Sequence, residues 1–332
     1  MRTSTKCIRG EGQEDFKRVF ASRCPAGKIA VVAQDKEEGD KLIRFLGRDY
    51  DAALYTPSEA RQANSAVRFV IGMGGSGVIP AVKHIAVNAS YAFYPTYFDY
   101  RFLYAFDGVF TLPEFVYLSD DAAKGDGYTV RLYVAAFQLY AEACFLACYA
   151  SALPYRDAEA EAYVKQGERI LSGTLTESEF YDEALRYVRN VAMLLFERKK
   201  TRLVTERVIQ RYGLTQGERF TAVRFLLLTL KNFTKRRLCD ILVPSERPVF
   251  GGRYVDGSAF DAATLPDDAM LDACEKKVRF LTELPETRPD ELAEALTEGV
   301  GDFDPLFAII HDEGITEAIN DERLKRGKSI FI

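Results

Sequence analysis

The chain has 332 residues, 48% hydrophobic and 28% charged, enough for two globular domains with sizeable cores. Its 44 Lys and Arg against 49 Asp and Glu leave a net charge of −5, which gives no support to nucleic-acid or membrane-surface binding. The opening MRTSTKCIRGEGQEDFKR has no apolar core of signal-peptide length, and the six cysteines (7, 24, 144, 148, 239, 274) form no CxxC pair. Reduced thiols in a cytoplasm are therefore expected.

In chain order, Lys6 to Ile8 reads as a short strand before Gly10-Glu11-Gly12. Gln13 to Arg23 reads as a helix with Phe16, Val19 and Phe20 on one face, closed by Pro25 and Gly27. Ile29 to Ala33 is a continuous apolar strand of the kind buried on both faces of a parallel sheet. Gln34 and Asp35 follow at its C-terminal end, where α/β sheets bind ligands. A helix through Leu42, Ile43, Phe45 and Leu46, a strand from Ala52 to Tyr55, and a short helical piece opened by Thr56-Pro57-Ser58 come next.

Phe69 to Ile71 then reads as a buried strand, and Gly72, Gly74, Gly75, Ser76 and Gly77 crowd the turn after it. Val78, Ile79, Val82, Ile85 and Ala86 recur at helical spacing. Strand, glycine turn and helix bring free N–H groups and a helix N-terminus against a phosphate, and glycine leaves no Cβ in the way. The same pattern also serves as an ordinary strand-to-helix turn. Tyr91 to Tyr94, ending in Pro95-Thr96, and Phe115 to Leu118, ending in Ser119-Asp120-Asp121, are two more strands. Strands alternating with helices define a doubly wound α/β domain over residues 1–127.

From residue 128 to 332 the pattern is helical. Tyr133 to Ala150 is apolar almost all round, and its Gln138 and Glu142 favour a buried helix over a membrane span. Ala158 to Leu171 is amphipathic, and Thr176-Glu177-Ser178-Glu179 is a capping box for a helix reaching Phe196. Thr221 to Phe233 is an apolar block, and Pro244 to Ser258 reads as a loop. Helices near Asp267 to Leu281 and Pro289 to Glu298, and a helix–turn–helix from Pro305 to Asn320, complete an all-α second domain.

The order of these motifs resembles the superfamily of dehydroquinate synthase, glycerol dehydrogenase and iron-containing alcohol dehydrogenase. Lys6 to Gly10 is similar to that family's opening strand, Gly27 to Asp35 to its "GkkvlvVtD", and Val70 to Lys83 to its "VIGVGGGSVIDAAK". Tyr94-Pro95-Thr96 is similar to "iPTT", Gly108 to Asp120 to "gaf..P..v..D", Tyr149 to Leu171 to a helical stretch, and Leu214 to Glu218 to "xxHGE". The resemblance implies a dehydroquinate synthase-like fold and a pocket for NAD or NADP. By position it implies Asp35 at the adenosine end and Gly74, Gly75, Ser76 and Gly77 at the pyrophosphate. Lys83 matches the family's turn-helix lysine, and Thr96 lies at the strand end beyond. Ser76, in place of a third glycine, either narrows the pyrophosphate site or adds a hydroxyl donor.

The departures are as informative. Pro80 stands where the family has Asp, and Gln216 where it has the His of HGE. The chain has two histidines, His84 and His311, neither at an alignable ligand position, and Arg202 to Tyr212 contains none. The first ligand pair aligns with Tyr140 and Cys144, or with Gln138 and Glu142. Gln216 is a poor ligand for zinc or iron, so the expectation is a family member whose Lewis-acid metal site is lost. A site rebuilt from Glu142, Cys144 and Cys148 competes with simple core packing of those residues. Between Thr96 and Phe110 the expected nicotinamide loop is short and aromatic, with Tyr97, Phe98, Tyr100, Phe102, Tyr104 and Phe106. That cluster either packs between the domains or stacks on a planar ring. Three readings follow: a metal-free nucleotide-binding protein, an active dehydrogenase or sugar-phosphate cyclase with a rearranged site, and a non-catalytic interaction protein. The expected partner is a small nucleotide, not nucleic acid or membrane, and a homodimer is compatible with each reading.

Overall fold

The computed structural model describes residues 5–24, 26–63, 66–105, 111–124, 127–151, 157–197, 215–236, 249–250, 253–254 and 265–284. Two compact units are distinguished, one of residues 1–132 with 195–201, the other of 133–194 with 202–332.

The first unit is built on β1 (Lys6–Gly10), β2 (Gly27–Ala33), β3 (Tyr50–Tyr55), β4 (Phe69–Gly74), β5 (Ser90–Pro95) and β6 (Phe115–Ser119). All pair in parallel, in the order β1-β6-β5-β4-β2-β3. Helices α1 (Gln13–Ala21) and α2 (Lys36–Leu46) serve one face. Alternate residues of four strands, among them Ile29, Val31, Ile71, Tyr94, Phe115 and Tyr117, form one apolar cluster with Phe16, Phe20, Leu42 and Leu46. Phe16 sits at its centre, with ring centroids 4.9 Å from Tyr94 and 5.4 Å from Tyr117. The intervening residues, such as Ala30, Val32, Val70 and Phe93, are equally buried, so the sheet is covered on both faces. That double burial is why these strands read as unbroken apolar runs.

Helix α3 (Ile79–Ile85) packs on the opposite face, close enough that a Cβ on Gly72 would lie 2.7 Å from Val82 and 2.6 Å from the Phe93 ring. The expected helix over 78–86 is thus a seven-residue α-helix preceded by a 3-10 turn, Ser76–Val78. Strand β4 runs three residues further than its apolar triad, through Gly72, Met73 and Gly74, because ladder bonding to β2 and β5 continues past the last large side chain. Among the 97–110 aromatics, Tyr100 to Tyr104 form a 3-10 helix, and Phe98, Tyr100, Phe102 and Tyr104 are buried. Phe102 packs on Phe93 of β5, and Arg101 bridges both carboxylate oxygens of Asp99 at the start of the turn. Phe106 lies outside the described residues.

After α4 (Asp120–Lys124) the described helices are α5 (Tyr128–Ser151), α6 (Ala158–Leu171), α7 (Glu177–Glu197), α8 (Gln216–Arg236) and α9 (Asp268–Leu281). Helix α5 starts five residues before the sequence expectation, and α8 five residues before it. A 20-residue stretch of α5 is long and apolar enough to cross a membrane, but its membrane-length window is 94% buried within the protein, as in a core helix. The Thr176 box forms as read: Thr176 Oγ1 accepts from Glu179 N–H at 3.4 Å while Glu179 Oε2 accepts from Thr176 N–H at 3.0 Å. Gly167 in α6 is required by close packing, since a Cβ there would lie 2.6 Å from the Tyr140 ring. One correction concerns the all-α reading. Val249–Phe250 and Arg253–Tyr254 pair as a two-stranded antiparallel hairpin, β7 and β8, inside the stretch read as a loop. The segments 289–298 and 305–320 lie outside the described residues.

Candidate functional site at the sheet's C-terminal edge

The chain starts at one edge with β1, lays down β2 near the other edge and β3 outside it, then reverses across β2 to lay down β4, β5 and β6 back towards β1. The reversal falls between β2 and β4, and the crevice outside their C-terminal ends is where such sheets bind ligands. The sequence places Gln34 and Asp35 at the end of β2 and the glycine turn at the end of β4, so both flank this point.

The turn is held by its neighbours. Gln34 N–H donates to the Met73 carbonyl at 3.1 Å, and Thr96 N–H donates to the Gly74 carbonyl at 3.2 Å. Gly74 has φ +121°, where a side chain is strained, and its Cβ would meet Gln34 Cβ at 2.8 Å. A Cβ on Gly75 would lie 2.5 Å from the Tyr97 hydroxyl. With Gly72 beneath α3, three of the four glycines are thus explained by what the protein itself packs against them. Gly77 differs: it is exposed and nothing lies within 4 Å of its Cβ direction. Ser76 is half-buried beside it.

Gln34 also occupies a donor. Its Oε1 accepts from Gly75 N–H at 2.9 Å, so one of the amides expected to face a phosphate is already bonded. Pro80, near the start of α3, has no N–H to give, and a seven-residue helix carries only a short run of aligned dipoles.

Asp35 is the N-cap of α2: its Oδ1 accepts from Glu37 N–H at 2.8 Å and from Glu38 N–H at 3.5 Å. The carboxylate therefore serves the helix as well as facing the edge. Asp35→Ala is expected to cost about 1 kcal/mol of stability, and Asp35→Asn only a few tenths, because both Asp and Asn cap well. Comparing the two by thermal denaturation, and again with nucleotide present, separates capping from ligand contact. Next to it, Lys36 pairs with Glu59 at 2.7 Å, and that ion pair with the Thr56 hydrogen bonds holds the Glu59 carboxyl down at about 2.

The structure thus brings together Asp35, Gly74, Gly75, Ser76, Gly77 and Thr96. It does not bring in Lys83, whose Nζ donates to the Ala105 carbonyl at 3.3 Å and braces the turn after the aromatic 3-10 helix. Sequence reading missed two neighbours, Arg131 and Arg9. Tyr97 stacks under Arg131, with the guanidinium carbon 4.4 Å from the ring centroid, and Arg9 at the end of β1 donates to Tyr128 Oη at 3.0 Å. Tyr97 was one aromatic among six. Arg9 and Arg131 carry no local signal, since exposed arginines are common.

No three His, Cys, Asp or Glu side chains among the described residues are grouped so as to hold a metal ion. Glu218 caps α8 through Thr215, accepting its N–H at 2.8 Å, with Gln216 between them. Cys144 and Glu142 are buried within α5, and Tyr140 donates to Glu168 at 3.4 Å. Burial pushes the Tyr140 hydroxyl well above the usual phenol range. His84 is exposed on α3. His311, residues 202–212 and the Cys148 side chain lie outside the described residues.

A parallel sheet covered on both faces, with a glycine turn at its switch point, is a doubly wound α/β architecture. No family model matches this sequence, and no curated protein matches it. Solved structures do. A probable glycerol dehydrogenase from Sinorhizobium meliloti 1021 matches at TM-score 0.57 and 16% identity, over 98% of this chain and 98% of its own. Maleylacetate reductase from Agrobacterium tumefaciens matches at 0.54 and 15%, over 96% and 97%. An iron-containing alcohol dehydrogenase from Thermotoga maritima matches at 0.54 and 16%, over 95% and 99%. The chain has the fold of the glycerol dehydrogenase and iron-containing alcohol dehydrogenase superfamily.

Proposed function

We propose that the chain is a divergent member of this superfamily that binds NAD or NADP at the β2/β4 switch point without the family's metal-assisted chemistry. The glycine turn at that point carries the reading: its bonding to Gln34 and Thr96 keeps the backbone at the sheet edge, open at Gly77. Asp35 is read as the adenosine-end residue and the turn as the pyrophosphate end. Residues 1–127 are read as the nucleotide-binding domain and 128–332 as a mainly helical domain. In the family a metal would polarise a hydroxyl or carbonyl, and the described residues offer no set to hold one.

A second reading is an active dehydrogenase or cyclase with a rearranged site; the neighbours named glycerol dehydrogenase and maleylacetate reductase favour it. Elemental analysis of the purified protein and a thermal-shift titration with NAD and NADP separate the two. Saturation at 100 times the dissociation constant adds about 2.7 kcal/mol of apparent stability. A shift without bound metal is the expected result. Stoichiometric zinc or iron together with oxidation of a polyol would replace the first reading by the second. No shift at all would leave a non-catalytic interaction protein.

A further inference from the structure

The glycine turn is short of positive charge. Gly75 N–H is engaged by Gln34, Pro80 has no N–H, and Lys83 is turned to the Ala105 carbonyl. A ligand with an anionic group at this edge needs a cation from elsewhere. The first turn of α5 supplies one. Gly127, with φ +80°, opens it, and Arg131 N–H donates to the Gly127 carbonyl at 2.9 Å. Tyr128 anchors the turn through its ring against Phe98, centroids 5.6 Å apart, and through its hydroxyl, which accepts from Arg9.

From that anchored turn Arg131 lies across the face of Tyr97, and the far end of the same ring lies against Gly75. One tyrosine therefore sets the guanidinium beside the glycine turn. Stacking occupies the guanidinium face and leaves the in-plane N–H fork free, the part that grips a planar or tetrahedral oxyanion. Arg131 is half-buried, and it makes no ion pair with a described residue. By contrast Arg18, Arg101 and Arg224 each have a carboxylate partner.

We propose that Arg131, presented on the ring of Tyr97 beside the glycine turn, is the anion-binding residue of this edge and takes a phosphate or carboxylate group of the ligand. The proposal rests on the switch-point reading above but extends it to a residue outside the glycine motif. It also assigns Tyr97 as a positioning residue, acting through Arg131.

The test is isothermal titration of the full chain with NAD, inorganic pyrophosphate and succinate, for the parent protein and for Arg131→Ala, Arg131→Lys and Tyr97→Leu. Thermal denaturation checks that each variant folds. Loss of a charge-assisted bidentate contact is expected to weaken anion binding about tenfold or more in Arg131→Ala. Arg131→Lys restores part of it, since the charge returns without the fork. Tyr97→Leu weakens binding less than Arg131→Ala, because the charge remains but loses its platform. Pyrophosphate and succinate distinguish a phosphate from a carboxylate ligand. Unchanged NAD binding in Arg131→Ala would overturn the proposal and leave the nucleotide reading standing. Arg131-dependent binding of pyrophosphate or succinate, with no binding of NAD, would uphold the proposal and remove the nucleotide reading. A parent protein that binds none of the three would overturn it.

Discussion

Glu275→Ala is expected to destabilise the chain by about 3–5 kcal/mol. Arg224 of α8 has only 6% of its side chain exposed and faces Glu275 of α9 at 3.3 Å, and Glu275 is itself 15% exposed. Its other carboxylate, Asp272, lies at 3.4 Å but is 59% exposed, so water screens it. Removing Glu275 takes from this buried guanidinium the less exposed of its two described carboxylates, and the lost compensation falls on the folded state. Arg279 also donates to Glu275, at 2.6 Å, but it is half exposed, and Arg279→Ala should cost under about 1 kcal/mol. Urea denaturation measures all three changes. Replacing Arg224 and Glu275 together by Met and Leu should cost far less than Glu275→Ala, because no charge is then stranded. A small effect of Glu275→Ala would show that the Arg224 charge is met by other groups or by water.

Gly74→Ala is the second large effect, expected at about 2–4 kcal/mol. The new Cβ meets a disfavoured φ of +121° and a contact of 2.8 Å with Gln34 Cβ, which is backbone-proximal and cannot swing away. Gly77→Ala, three residues on, makes the same chemical change in open space and should stay within about 0.5 kcal/mol. The pair also reads function. Gly74→Ala displaces Gln34 and with it the bond to Gly75 N–H, so any nucleotide-induced thermal shift should fall with stability. Gly77→Ala places a methyl on the open side and should lower the shift with stability intact. Equal stability of the two variants would contradict the turn geometry.

Much of the sheet was legible because its strands are buried on both faces, and runs such as Ile29 to Ala33 have no polar alternation to confuse with a surface strand. The β7–β8 hairpin was illegible for the opposite reason: two-residue strands show no period, and Pro and Gly nearby read as loop. Helix starts at Tyr128 and Gln216 were set late because the apolar pattern begins inside the first turn, after the polar residues that open it. In the site, the glycine turn announced itself by composition. Gln34 could be placed at the strand end, but not its bond to Gly75, since that contact joins residues 41 apart in sequence. Asp35 was read by resemblance as a ligand residue, and the hydrogen bonds it accepts from Glu37 and Glu38 N–H show that it also caps α2. Arg131 is one of two charged residues on an apolar helix, Glu142 being the other, and only the ring beneath it distinguishes it from a solvated side chain.

The pairing of β1 with β6 joins Lys6 to Phe115, the first strand of the sheet to its last. On a ribosome adding about 5–20 residues per second, β1 waits roughly 5–20 s before its neighbour among the described strands has been made. During that interval the strand's hydrogen-bonding groups stand open, and α1, which follows it, has only part of its floor. Closure across more than a hundred residues gives the unit a high contact order, so the slow step of refolding should be the docking of β1 and α1 rather than the pairing of β2 with β3.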